Sequence, residues 1–124
     1  MSALVAVALG GALGASARFL AVSAIMRAAP GFPWGTLTVN VAGSMLMGVL
    51  AVYLMERGGF GRLAPFLLTG VLGGFTTFSA FSLDALYLIE RGRVAAAASY
   101  IGGSVLLSVG ALALGLWAAR RLLL

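Results

Sequence analysis

The chain has 124 residues, 62% of them hydrophobic and 9% charged, with eight arginines against three acidic residues for a formal net charge of +5. Soluble domains carry roughly a quarter charged residues, so the composition excludes an ordinary water-soluble domain. Cysteine and histidine are both missing, which removes disulfides, thiol nucleophiles, imidazole bases and the usual zinc and haem ligands.

A helix needs about 20 mainly apolar residues to cross the hydrocarbon core. The first candidate span covers residues 2–26, interrupted only by Arg18; the others cover about 35–56, 63–89 and 94–119, each built on a long stretch without charge. Ala15-Ser16-Ala17 resembles a secretory cleavage site, but no positively charged leader precedes it, so the first stretch reads as a retained helix. The connections are short: Arg27 to Trp34, Glu56 to Arg62 and Glu90 to Arg93. They leave no room for a soluble module. The apolar runs far exceed the roughly ten-residue alternating strands of outer-membrane barrels, and lipid demands that every backbone polar group be satisfied internally. The fold class is therefore an all-α membrane protein of four helices, one integral membrane domain over residues 1–124.

With four spans, Arg57, Arg62, Arg120 and Arg121 fall on one side, and Arg27, Arg91 and Arg93 on the other, where Arg18 evens the count. The positive-inside rule fixes no orientation from such a tie. Two readings follow: orientation set by something else, or insertion both ways with pairing to an inverted copy. Four helices also leave little room for a conduit of their own, which favours an oligomer. Small residues at spacings of four, Gly10 with Gly14, Gly11 with Ala15, Gly70 with Gly74 and Ser104 with Ser108, permit close helix approach. They argue for packing first.

Polar residues inside spans are costly unless they pair or line a path. Thr36 and Asn40, four apart, share one face of the second helix. The Asn40 amide suits either an interhelical hydrogen bond or donation to an anion. In the third span Gly73-Gly74 precedes Thr76-Thr77; the glycines weaken the helix and the hydroxyls can satisfy freed backbone groups, so a break near the midplane is expected. Irregular backbone at that depth is tolerated where it is buried or lines a cavity. Phe75, Phe78 and Phe81 recur every third residue just beyond. Such a stripe is ordinarily packing surface, yet aromatic edges carry the positive end of the ring quadrupole and can face a small anion. No acidic residue lies deep in a span, and the one embedded charge, Arg18, is positive; it either snorkels to the interface or makes an electropositive vestibule. A carboxylate-driven cation transporter is disfavoured on both readings.

The run Gly73-Gly-Phe-Thr-Thr-Phe-Ser-Ala-Phe-Ser82, with Gly35-Thr-Leu-Thr-Val-Asn40 and the Gly-Gly-x-Leu-Gly-Ala-x-x-Arg18 opening, resembles the Fluc/CrcB fluoride channels of microbes. The resemblance covers essentially the whole chain in the same span order. It implies an antiparallel, dual-topology homodimer with two pores in the cell's inner (plasma) membrane, passing fluoride passively out of the cytoplasm, with no nucleic-acid partner. It further implies Asn40 as the pore asparagine and Phe78 and Phe81 as paired phenylalanines whose edges line the path. Thr36, Thr77 and Ser79 are implied as hydroxyls along it, with Tyr100 and Ser108 contributed by the fourth helix. Arg18 matches the first-helix arginine of the vestibule. The backbone carbonyls of Gly73 and Thr76, two from each subunit, match positions that hold a central structural sodium ion.

Two departures stand out. Ala80 occupies a position where relatives commonly carry threonine, so one hydroxyl is missing, and Asp84 replaces the more usual glutamate. The alternative of a small four-helix multidrug or cation transporter requires a carboxylate in the first helix, and none is there. An enzyme is disfavoured because no nucleophile and base pair can be assembled.

Overall fold

The computed structural model describes residues 2–124. Among them every regular element is helical, and four helices are long and apolar enough to cross a membrane: Ala3–Ala28, Trp34–Glu56, Pro65–Glu90 and Val94–Leu123. Helix α1 (Ala3–Ala28) starts under the Ser2 hydroxyl, which accepts from the Val5 N–H at 3.1 Å as an N-cap. Helix α2 (Trp34–Ala51) follows Pro33 and widens into a π-helical turn at Val52–Glu56. Gly58, Gly59 and Gly61, all at positive φ, carry the chain around the next connection.

The third span is composite. A π-helical segment, Pro65–Leu72, passes into the short turn α3 (Gly73–Phe75), and after Thr76 and Thr77 the chain resumes as α4 (Phe78–Glu90). Gly92, at φ 76°, makes the last connection, to α5 (Val94–Leu123).

Hydrocarbon offers no hydrophobic drive for helix association, so close packing and polar contacts must supply it. Two glycine seams do so. In the first, α1 lies on the Pro65–Phe75 half of the third span: a Cβ on Gly10 or Gly14 would collide with the Phe66 or Val71 carbonyl, and one on Gly74 would stand 2.8 Å from the Gly11 carbonyl. The small-residue pairs Gly10/Gly14 and Gly70/Gly74 thus pack against each other within one chain. In the second, α2 meets α5 where Gly48 faces the Leu112 carbonyl and a Cβ on Gly115 would lie 2.5 Å from the Met45 carbonyl. The same spacing of four marks this seam in the sequence, as Ser44 with Gly48 and Ala111 with Gly115.

The ends of the bundle are tied by polar contacts. Arg120 grips Glu56 with two nitrogens, at 2.6 Å from Nη2 and 3.1 Å from Nε, joining the last turns of the second and fourth spans. At the opposite end Arg93 donates to the Gly31 carbonyl, joining the first and third connections. Large apolar side chains such as Leu4, Phe19, Leu106 and Leu122 face outward, as a surface in contact with hydrocarbon requires.

Candidate functional site

The site is built around two residues that leave the helix. Thr76 (φ −93°, ψ 156°) and Thr77 (φ −152°, ψ 120°) are extended. Gly73 and Gly74 stay helical, so the irregular backbone lies beyond the glycine pair. Phe75 consequently falls before it, and the aromatic stripe of α4 is reduced to Phe78 and Phe81. Phe75 instead lies near Gly43 of α2, where a Cβ would stand 3.3 Å from its ring and collide with the Thr76 methyl. Gly43 is what lets α2 approach the irregular backbone.

Asn40 fills the approach. Its Oδ1 accepts from the Thr77 N–H at 2.7 Å and its Nδ2 donates to the Thr77 carbonyl at 3.0 Å. One amide therefore satisfies both backbone groups of an extended residue, as a neighbouring strand would. Each Asn amide nitrogen carries two hydrogens, so one Nδ2 hydrogen remains for another acceptor. The diverted Thr77 N–H would otherwise have closed a helical turn on the Gly73 carbonyl, which is left without it. The Thr76 carbonyl likewise has no protein donor among the described residues.

The threonine side chains repair the rest. Thr76 Oγ1 donates to the Leu72 carbonyl at 2.9 Å, and Thr77 Oγ1 caps α4 by accepting from the Ala80 N–H at 3.1 Å. Ser79 Oγ lies 3.3 Å from Thr77 Oγ1 on the exposed side. Arg18 reaches from α1 to donate Nε to the Gly74 carbonyl at 3.0 Å. It braces the end of α3 and lines neither the cavity beside Asn40 nor the one beside Asp84.

A cavity of about 300 Å³ opens beside this backbone, with Asn40 and Ser44 from α2, Thr76, Thr77, Phe78 and Phe81 from the third span, and Ser104 and Ser108 from α5. The rings of Phe78 and Phe81 are 5.4 Å apart and tilted by 57°. Phe78 is 77% exposed and Phe81 only 9%, so one ring faces outward and the other is anchored. The anchor is Tyr100, whose ring lies 5.2 Å from that of Phe81. Ser104 Oγ is buried without a partner among the described residues. A buried hydroxyl left unpaired is costly, and this one lines the cavity.

Tyr100 belongs to a neighbouring group. Its hydroxyl donates to Asp84 Oδ2 at 3.1 Å, with the buried Thr36 hydroxyl close by. Asp84 in turn lines a second cavity of about 180 Å³ with Phe32 and Arg91. The structure thus brings Asn40, Phe78, Phe81, Thr76, Thr77 and Ser108 to one cavity, sets Tyr100 behind Phe81, and places Thr36 beside the Tyr100 hydroxyl. Gly73, Ser79 and Arg18 stand around the irregular backbone without lining that cavity. Sequence reasoning missed Ser44 and treated Ser104 as a packing residue. Both were within reach, because Thr36, Asn40 and Ser44 repeat at spacings of four, as do Tyr100, Ser104 and Ser108.

The model of the family described as CrcB-like protein, Camphor Resistance (CrcB), matches residues 5–116. This chain belongs to that family. It is 60% identical over 121 residues to a protein of Cereibacter sphaeroides named fluoride-specific ion channel FluC, a match that covers 97% of this chain and 96% of the relative. Proteins of the same name from Paracoccus denitrificans and a Ruegeria species are 58% and 57% identical, over 94% of this chain and 93% and 94% of their own lengths. The CrcB-like match spans both glycine seams and every residue of the cavity.

Proposed function

We propose that the chain forms a passive, fluoride-selective channel that lets fluoride leave the cytoplasm; its relatives are named fluoride-specific ion channels. The observation that carries this reading is the Asn40 amide, locked to Thr77 by two hydrogen bonds and keeping one N–H for the adjacent cavity. Fluoride is small, strongly hydrated and a strong acceptor, so leaving water requires replacement donors. Asn40, Ser104 and Ser108 supply them, Thr77 and Ser79 continue the polar surface at the start of α4, and the edges of Phe78 and Phe81 add weak positive potential. None of the cavity-lining residues is charged, which keeps binding favourable without trapping the ion. Tyr100 holds Phe81 from behind with Thr36 beside its hydroxyl, and the guanidinium of Arg18 adds positive charge beside the irregular backbone.

The working unit on this reading is an inverted homodimer in the inner membrane, with the irregular backbone near the midplane and two pores, one per chain. A second copy would cover outward-facing apolar residues such as Phe78. A structural sodium ion fits the carbonyls of Gly73 and Thr76, both lacking their helical donors, with the same pair from the partner. Among the described residues no group of three or more acidic side chains offers a metal site, so backbone oxygens are the natural ligands. The sodium would supply fixed positive charge to an interface of carbonyl dipoles. A channel of this kind needs no catalytic residue.

The test is efflux from liposomes loaded with fluoride or chloride, in the presence of a potassium ionophore. Rapid loss of fluoride with chloride retained is the expected result; retention of both by correctly assembled protein overturns the reading.

A further inference from the structure

Serines within helices commonly return their hydroxyl to the carbonyl four residues back. Ser82 and Ser99 do so here, donating to the Phe78 and Ala95 carbonyls at 2.9 Å. Ser44 does not. It is half-buried, makes no hydrogen bond among the described residues, and lines the 300 Å³ cavity one turn along α2 from Asn40. Across the cavity stand Ser104, whose hydroxyl is buried and unpaired, and Ser108. The remaining α5 wall there is Val105 and Val109.

We propose that the Ser44 hydroxyl is a further donor to the permeating anion, facing Ser104 and Ser108 so that the ion is held from the α2 and α5 walls together. The inference rests on the fluoride-channel reading and adds a contact residue to it. An ion beyond Asn40 that met donors from α5 alone would leave its α2 side bare. Ser44 extends the donor line of Asn40 by four residues, about 6 Å along the helix, which is a step an ion can take without passing through an undonated gap. An anion is the species that benefits, because the hydroxyls can turn their hydrogens inward and no acidic residue lines this cavity.

The experiment compares fluoride efflux from liposomes carrying the wild-type protein, Ser44→Ala or Ser44→Thr, each checked for assembly by gel filtration. Ser44→Ala is expected to slow efflux about fivefold, the worth of one neutral hydrogen bond, while Ser44→Thr, which keeps the hydroxyl, stays within about twofold of wild type. Wild-type rates in Ser44→Ala overturn the inference. So does an equal loss in both variants, which assigns Ser44 to packing. A wild-type protein that releases no fluoride removes the channel reading itself, and the inference with it.

Discussion

The two halves of the third span solve opposite problems. Pro65–Phe75 lies against α1 through glycines, backbone on backbone, with Gly10, Gly14, Gly70 and Gly74 leaving no space for a single added carbon. Phe78–Glu90 has turned away from α1 and packs on α5 through side chains: Phe81, Ala85 and Leu88 against Ala97 and Tyr100. Backbone-on-backbone contact is dense and holds the position of the chain. Side-chain contact leaves space, and the cavity with its unpaired hydroxyls lies in that space. The lesson is that the rigid half fixes where Thr76 and Thr77 emerge, while the looser half gives only Phe78 and Phe81 to a cavity whose amide and serine hydroxyls come from α2 and α5.

The largest expected effect comes from breaking the rigid half. Gly14→Val drives a branched side chain into the Val71 carbonyl, where neither backbone can yield. Overpacking costs typically 1–3 kcal/mol and more where nothing can relax, so we expect little or no monodisperse protein by gel filtration in detergent. Gly102→Val, placed on α5 where a Cβ meets open space, should yield normal protein. If the two variants behave alike, the glycine seam does not hold the fold.

Asn40→Asp strikes the junction of the halves. One carboxylate oxygen still accepts from the Thr77 N–H, but the other now faces the Thr77 carbonyl as a second acceptor, and the cavity gains a negative charge. Removing a donor and presenting a charge at a desolvated site costs several kcal/mol, and we expect fluoride efflux to fall by at least about a hundredfold. Undiminished efflux would take Asn40 out of the pathway. Arg18→Gln and Arg18→Lys should act more mildly. A hydrogen bond from a charged donor contributes about 1.5–3 kcal/mol, and neither substitute keeps the guanidinium Nε that reaches Gly74. Both are expected to lower thermal stability in detergent; rescue by lysine would show that charge, rather than the bond to the Gly74 carbonyl, is what matters there.

The contrast also explains what was legible in the sequence. Four spans and an all-helical membrane fold follow from long apolar runs, a signal that depends on composition and needs no partner information. Gly10/Gly14 and Gly70/Gly74 were visible as small residues one turn apart, though not which pair met which. The polar clustering of Asn40 with Thr76 and Thr77 was visible as residue types, but the double hydrogen bond from one amide to one extended residue depends on how two helices approach through Gly43, which no spacing within either helix encodes. Ser44 and Ser104 lay at visible spacings of four, yet spacing did not say what their hydroxyls do. A serine in a membrane helix is equally a packing residue or a donor, and the difference is whether its hydroxyl returns to its own backbone.

The smallest effect is expected farthest from both halves, at the bundle end where Arg120 grips Glu56. The geometry is bidentate, yet the two side chains are 51% and 34% exposed, and water and salt screen a pair in that position. Arg120→Ala should therefore leave the fluoride efflux rate unchanged and the melting temperature close to that of wild type at moderate salt. A clear loss of stability would mean that the α2–α5 seam at Gly48 and Gly115 does not suffice to hold its own end of the bundle. In that case the ends, and not the glycines, would set the spacing of the walls on which Ser44, Ser104 and Ser108 stand.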